Sequence, residues 1–366
     1  MVANLQIVGD SKPSLDALLS KTLELKGSDL HLTLNSPPMI RIDGELCKLR
    51  TSKLTKNCLA DMLLPPLTDR QKDVLDEHFS VDMAYNLEED KRFRVNIFYQ
   101  RGALAAVFRQ LPSVKLSLEA LGIPAGVHDF AELKDGLVLV TGPTGSGKST
   151  TLAAIIDKIN NRKSCHIITI EDPIEFVHEN NKALITQREL FTDVPTFSGA
   201  LRDAMREDPD VILVGEMRDL DTMRTAIMAA ETGHLVFSTL HSRDAESTLA
   251  RMIGVFPVEE QAQVRQQLSS TLKGVVSQRL IKRAEGGGRV PAIEVMKVTS
   301  AVSNLIRTSK LEQIYSSIET GGKFGMQTME LSLAKLYREG HIDRDTALRM
   351  AKNESVITPR LERVDG

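Results

Sequence analysis

The sequence predicts an α/β protein of two domains, a smaller N-terminal α+β domain and a larger domain built on a parallel sheet. Its 366 residues exceed what one typical hydrophobic core holds. From residue 136 onward, short apolar runs alternate with helical patterns, as in βαβ units. Residues 142–149 read GPTGSGKS and match the phosphate-binding P-loop pattern G-x-x-x-x-G-K-[ST]. We therefore place the first domain at residues 1–112, a linker at 113–126 and the second domain at 127–366.

The first domain carries the patterns of an antiparallel sheet with helices. Leucines at helical spacing predict a helix over 14–26, which Ser14 can cap. A run of period two predicts a strand at 29–34, and the Asp43-Gly44 pair after an apolar run predicts a hairpin. The remaining patterns predict two helices and then three strands, at 55–64, 68–78, 81–87, 92–99 and 103–110. Thr68 and Gln71 have the spacing of a capping box at the second of these helices.

The second domain begins with alternating strands and helices and ends with helices. Strands are predicted at 136–141, 166–171, 184–187, 211–215 and 234–240. Helices are predicted between and after them, at 147–160, 197–206, 219–231, 244–253 and 257–274. A hairpin over 278–296 follows, and then four helical stripes, at 299–307, 310–319, 326–338 and 343–352. We expect the last dozen residues to fray.

The P-loop predicts a site for a purine nucleoside triphosphate with Mg²⁺. Its glycines permit backbone conformations that turn successive N–H groups toward an anion. The helix that follows directs its positive dipole end at the phosphates. Lys148 adds a charge at the β- and γ-phosphates, and Ser149 offers a hydroxyl to the metal. The predicted nucleotide-binding residues are Gly142, Pro143, Thr144, Gly145, Ser146, Gly147, Lys148, Ser149 and Thr150.

Carboxylates follow two of the predicted strands. Four apolar residues, 211–214, precede Gly215 and Glu216 in a Walker B arrangement. Because parallel strands place ligands at their carboxyl ends, we expect Glu216 beside the P-loop, where it can polarise the attacking water. Gly215 stands where many P-loop enzymes have a magnesium-binding Asp. Glu171 and Glu175 follow another strand, and either can orient water or metal; a merely charged loop is the alternative.

Histidines lie at both ends of the strand predicted over 234–240. Seven extended residues span ~23 Å, so His234 and His241 cannot bind one metal ion. His241 falls at the phosphate end and can contact the γ-phosphate, whereas a structural role is at least as good an interpretation of His234. In the first domain, Arg94 and Arg109 are predicted to lie opposite each other on neighbouring strands. On this pattern alone, ordinary surface arginines are the favoured interpretation.

Composition excludes several classes of protein. The net charge is −3 and no basic block stands out, so nucleic acid is not expected as a partner. The three cysteines, Cys47, Cys58 and Cys165, form no C-x-x-C pair, so a zinc or redox site is not expected. No apolar run approaches the ~20 residues of a membrane span. The sequence thus predicts a cytoplasmic protein.

These motifs together resemble the secretion-type ATPases and, within them, the PilT-like pilus retraction ATPases. The resemblance covers Leu15 to Lys352. Besides the P-loop it is carried by four stretches, IEDPIEF at 170–176, GEMR at 215–218, TGHLVFSTLH at 232–241 and GMQTM at 325–329.

The resemblance implies a PAS-like N-terminal domain, a RecA-like C-terminal domain and a homohexameric ring that hydrolyses ATP. It implies that Glu175 and Glu216 act on water and metal, that His241 senses the γ-phosphate, and that Arg94 and Arg109 reach the phosphates. It also implies an inner-membrane platform protein of the pilus, PilC-like, as the partner that recruits the protein to the cytoplasmic face of that membrane.

Two differences from the family bear on function. Retraction ATPases carry a helix reading AIRNLIRE, and residues 301–308 here read AVSNLIRT, with Ser303 in place of an arginine and Thr308 in place of the acid. This leaves an accessory paralogue, or a regulatory ring that hydrolyses nucleotide poorly, as the alternative to a full retraction motor. The four-cysteine zinc site of the assembly and secretion relatives is absent from the sequence, which argues against pilus extension.

Overall fold

The computed structural model describes residues 14–88, 91–111 and 117–365, with side chains as far as Glu362. These residues form two compact units. The first unit holds the described residues before 112 together with two later segments, Asp172–Val177 and Arg188–Thr196. The second unit holds the rest, and each unit is described by itself below.

The first unit contains a six-stranded antiparallel sheet with the strand order β3-β2-β1-β6-β5-β4. Its strands are β1 Asp29–Leu32, β2 Met39–Ile42, β3 Glu45–Lys48, β4 Ser80–Glu88, β5 Lys91–Gln100 and β6 Ala103–Gln110. Its helices are α1 Leu15–Glu24, α2 Lys56–Leu63 and α3 Asp69–His78.

The local signals in this unit act as predicted. Ser14 caps α1, and Thr68 and Gln71 form a reciprocal capping box at α3. The turn between β2 and β3 has positive φ at both Asp43 and Gly44, as a two-residue hairpin turn requires. Apolar side chains of the helices and of one sheet face form a single core that includes Leu18, Leu59, Phe93 and Phe108. The strands and helices predicted here are confirmed within a few residues.

The second unit is built on a seven-stranded sheet with the order β13-β12-β7-β11-β10-β8-β9. Its strands are β7 Gly136–Thr141, β8 His166–Glu171, β9 Leu184–Glu189, β10 Val211–Val214, β11 Leu235–Leu240, β12 Leu272–Lys282 and β13 Arg289–Lys297. The run from β12 to β8 is parallel, and β13 adds an antiparallel edge. Helices accompany the strands, namely α4 Ala125–His128, α5 Lys148–Asn160, α6 Phe197–Ala204, α7 Leu220–Glu231, α8 Ala245–Gly254 and α9 Gln261–Thr271.

Five further α-helices follow in the described residues after β13. They are α10 Ser300–Arg307, α11 Ile314–Thr320, α12 Met329–Arg338, α13 Arg344–Met350 and α14 Glu354–Asp365. Two predictions were wrong here. The helix predicted over 257–274 is shorter, because Leu272 already pairs with Leu137 as the start of β12. The last dozen residues were predicted to fray, but those described, as far as Asp365, belong to α14, because Ile357 and Leu361 are fully buried in the apolar cluster of this region.

None of the helices in the described part of the chain combines the length and apolarity that crossing a bilayer requires.

Candidate functional site

The sheet of the second unit brings three sequence motifs to one edge. β7, β11 and β10 run parallel, with Thr141 beside Leu240 and Val214 beside Ser238. The P-loop follows β7, His241 follows β11, and Glu216 comes two residues after β10. Because the carboxyl ends of parallel strands share an edge, these groups converge there.

The P-loop has the backbone of an anion cradle. Gly142, Gly145 and Gly147 have φ of 144°, 76° and 87°, a region closed to most residues with a Cβ. The Lys148 ammonium group donates to the carbonyl oxygens of Gly142 at 3.0 Å and Pro143 at 3.1 Å. These contacts hold the ammonium group against the backbone of the loop.

Two observations test whether phosphate fits this loop. Helix α5 begins after Gly147 without a side-chain cap, whereas Asp219 caps α7 and Asp244 caps α8. The hydroxyl of Ser146 is buried and has no hydrogen-bond partner in the described part of the chain. Backbone N–H groups at an uncapped helix start and a buried unpaired hydroxyl are groups that a phosphate oxygen satisfies. The loop therefore fits a nucleotide phosphate, with Ser149 and Thr150 in the first turn of α5.

Glu216 and His241 are in contact beside the P-loop. The Oε2 atom of Glu216 lies 3.4 Å from Nε2 of His241, and Arg218 pairs with the other carboxylate oxygen. The turn after β10 is fixed by Thr239, whose hydroxyl donates to the carbonyl of Gly215 at 2.7 Å. Only 14% of the Glu216 side chain is exposed, so its carboxylate is held between the Arg218 guanidinium group and the His241 imidazole in a partly desolvated place.

Glu171 and Glu175 have different surroundings. The carboxylate of Glu171 accepts hydrogen bonds from the Thr169 hydroxyl at 2.7 Å and from the Gln187 amide at 3.2 Å, both within the second unit. Glu175 lies in Asp172–Val177, the segment grouped with the first unit. There the carbonyl of Ile174 accepts from Arg92 at 2.8 Å. The side chain of Glu171 thus links β8 to β9 within the sheet of the second unit.

Arg94 and Arg109 lie directly opposite each other on β5 and β6, as predicted. The Arg109 Nε donates to Asp29 at 2.8 Å, and two thirds of the Arg109 side chain is exposed. Burial alone would raise the pKa of Asp29, but hydrogen bonds from Ser28 and Arg109 outweigh it and hold that pKa below its usual value. Two like charges directly opposite on one sheet face are destabilising, so the pair suits a place where an anion binds.

His234 has local structural contacts. Its Nδ1 lies 3.0 Å from the Ala229 carbonyl and 3.3 Å from the Thr232 hydroxyl, at the amino end of β11. It is therefore remote from the edge where His241 lies, as the strand length predicted.

A cavity of about 590 Å³ adjoins the P-loop within the second unit. Residues of four regions line it, the stretch before α4, the start of α5, the β12–β13 hairpin and the stretch in and around α12. They include Ile123, Gly147, Thr150, Gln278, Leu280 and Arg289. Sequence reasoning missed this lining. The available signal was Gln278, a polar residue in the apolar run of β12, which we used only to mark the start of a hairpin.

The fold and the site define a P-loop ATPase with a RecA-like core and an N-terminal α+β domain of the PAS-like type. Residues 10–310 match the family described as type II/IV secretion system protein. The type IV pilus retraction ATPase PilT of Pseudomonas aeruginosa is 50% identical over 335 residues, which are 92% of this chain and 97% of that protein. The twitching motility protein of Neisseria gonorrhoeae is 48% identical over 321 residues, 88% of this chain and 86% of that protein.

A crystal structure of the pilus retraction motor PilT with bound ADP superposes with a TM-score of 0.86 at 44% identity, covering 96% of this chain and 99% of that one. The chain therefore belongs to the type II/IV secretion system protein family. The family and fold class predicted from its motifs are confirmed.

Proposed function

We propose that the protein is a motor ATPase that hydrolyses ATP to power retraction of a type IV pilus, and with it twitching motility. The observation that carries the proposal is the convergence of Lys148, Glu216 and His241 at one sheet edge. The chain that carries these residues is 50% identical to a pilus retraction ATPase over 92% of its length.

In this proposal the P-loop holds the phosphates of ATP. N–H groups at the start of α5 and the hydroxyl of Ser146 donate to phosphate oxygens, and Lys148 exchanges its carbonyl contacts for the β- and γ-phosphates. Ser149 offers its hydroxyl to Mg²⁺, which neutralises charge that develops on the phosphates when it is bound. The cavity beside Gly147 and Thr150 has a volume suited to the base and ribose of the nucleotide.

Glu216 accepts the proton of the attacking water. Arg218 and His241 contact its two carboxylate oxygens and so fix the orientation of the base. His241, whose side chain is 41% exposed, extends from the same edge to contact the γ-phosphate. Its contact to Glu216 ties the presence of that phosphate to the position of the base.

Arg94, Arg109 and Glu175 complete the proposed catalytic set. The two arginines stabilise the charge of the transferring phosphoryl group, and their mutual repulsion is relieved when they do so. Glu175 orients water or metal, since Glu171 is bound to Thr169 and Gln187. We further infer domains at residues 1–112 and 127–366, six copies in a ring, and a PilC-like platform protein that recruits the cytoplasmic ring to the inner membrane.

An accessory ATPase of the same pilus is the second candidate function. Helix α10 carries Ser303, whose hydroxyl donates to the Ser269 carbonyl of α9 at 2.6 Å. Retraction ATPases resembling this chain have an arginine at that place, so α10 lacks a guanidinium group at position 303, although it keeps Arg307. Loss of this charge from the helix favours a modified role in retraction.

Deletion of the gene, scored for motility and surface piliation, tests the proposal. A retraction motor predicts abundant surface pili without twitching, restored by the wild-type gene. Abundant pili with twitching retained would support the accessory role. Bare cells would indicate pilus assembly and contradict both.

A further inference from the structure

We propose that Gln278 is a positioning residue that holds the P-loop in its phosphate-binding shape, which rests on the nucleotide site proposed above. Gln278 lies on β12, the strand next to the P-loop strand β7, and the residue is only 3% exposed. A buried amide needs partners for both its N–H₂ and its carbonyl oxygen.

Both partners of the Gln278 amide belong to the phosphate-binding segment. Its Nε2 donates to the carbonyl oxygen of Ser146 at 2.8 Å. Its Oε1 accepts from the hydroxyl of Thr151 at 2.8 Å. One side chain therefore joins the loop before Gly147 to the first turns of α5 after it, across the point where the chain changes from loop to helix.

Two of the loop glycines also lie against Gln278. A Cβ added at Gly142 would lie 2.2 Å from the backbone carbonyl oxygen of Gln278. A Cβ added at Gly147 would lie 2.8 Å from Nε2 of the Gln278 side chain. The backbone of Gln278 thus packs against Gly142 at the start of the loop, and its side chain packs against Gly147 at the end. The glycines are needed here for close approach as well as for positive φ.

The two hydrogen bonds fix which way the loop's peptide groups point. Because the Ser146 carbonyl is held toward β12, the N–H of Gly147 in the same peptide group points the opposite way. Without this contact the loop has other conformations available, and only a fraction of molecules would present the cradle. Apparent affinity falls by that fraction.

Binding of Mg²⁺-ADP carrying a fluorescent ribose substituent to the full-length protein tests the proposal. Gln278→Met keeps the side-chain volume and removes both hydrogen bonds, so we expect about tenfold weaker binding. Thr151→Val removes one of the two bonds and should weaken binding less. The two changes together should cost less than their sum, because they disrupt the same contact.

The matched control is Ser277→Ala. Ser277 is the preceding residue of β12, fully buried, and its hydroxyl accepts from that of Thr141 on β7 at 3.0 Å. The variant loses a hydrogen bond between β12 and β7 and none to residues 142–151, so binding should stay within about twofold of wild type. Thermal unfolding without nucleotide shows whether each variant is folded.

Gln278→Glu supplies a readout that loss of packing would not move. A buried carboxyl group has a raised pKa, and its protonated form can donate to Ser146 and accept from Thr151 as the amide does. Nucleotide affinity relative to wild type should therefore recover as pH falls from about 8 to about 6. Gln278→Met should show no such recovery.

The outcomes separate this inference from the proposed function. Wild-type affinity in Gln278→Met, or equal losses in Gln278→Met and Ser277→Ala, would overturn the inference while Lys148→Ala still loses nucleotide. Wild-type affinity in Lys148→Ala would contradict the nucleotide site itself, and the inference with it.

Discussion

The carboxylate of Glu216 and the imidazole of His241 contact each other at 3.4 Å, although 24 residues and a helix separate them in sequence. The contact arises because β10 and β11 are parallel neighbours, with Val214 beside Ser238, so the residues that follow the two strands lie at one edge of the sheet. It places a candidate general base beside a candidate γ-phosphate ligand. The chemistry at this edge is therefore set by strand topology.

Replacing His241 should slow turnover more than it weakens nucleotide binding. His241→Ala removes the proposed contact to the γ-phosphate, which ADP lacks, so we expect kcat to fall about tenfold or more with ADP affinity nearly unchanged. The control is His234→Ala, which removes a histidine from the other end of β11. Steady-state phosphate release and ADP titration measure both effects. Equal losses of kcat in the two variants would count against a phosphate contact by His241.

Replacing either arginine of the pair in the first unit should slow hydrolysis and leave the fold of that unit intact. Arg94→Ala and Arg109→Ala each remove one positive charge that we propose stabilises the phosphoryl group, so we expect kcat to fall about tenfold or more in each. Circular dichroism should show folded protein, since relief of repulsion offsets the lost Asp29 contact in Arg109→Ala. Arg70→Ala, which removes an exposed arginine from α3 of the same unit, is the control. Normal hydrolysis in both variants would remove these arginines from the catalytic set.

Stability should depend on pH through Glu294. This residue is 2% exposed on β13 and accepts a hydrogen bond from the N–H of Ala245 at 2.9 Å. Burial, helped by the charges of Asp244 and Glu330, raises its pKa from 4.5 to about 7, against the opposing effects of the Ala245 hydrogen bond and of Lys352. Between these values the folded state binds the proton more tightly than the unfolded state, so this contribution to stability is lost as pH rises toward 7.

The variant Glu294→Gln tests this dependence because it keeps an acceptor for Ala245 and cannot ionise. Its free energy of unfolding relative to wild type should rise by on the order of 2 kcal/mol between about pH 5 and pH 7 and level off above that. Urea unfolding across this range measures it. Glu312→Gln, an exposed glutamate of the same unit, should show no such trend. A difference independent of pH would show that Glu294 stays in one protonation state.

Much of the fold was predictable because its signals are local. The alternation of Asp29 to Leu32, the Asp43-Gly44 turn and the capping box at Thr68 each depend on a few neighbouring residues. The two errors came from contacts between distant parts of the chain. Leu272 leaves its helical pattern because it pairs with Leu137, and Leu361 is ordered by burial against other helices.

The site divides in the same way. Lys148 and Glu216 follow from motifs, and the meeting of His241 with Glu216 follows once the strands are taken as parallel. The pairing of Arg94 with Arg109 follows from the turn at Gly102. The role of Gln278 could not be predicted, because it depends on β12 lying beside β7, a pairing between residues more than a hundred apart in sequence.

The most direct test of the account is phosphate release by Glu216→Gln at saturating ATP. Glutamine keeps the shape of the side chain but cannot take a proton from water, so we expect turnover to fall by about 100-fold or more with ATP binding retained. Glu259→Gln, which changes an exposed glutamate of the same unit, should hydrolyse ATP at the wild-type rate. Equal rates of phosphate release from wild type and Glu216→Gln would contradict the account.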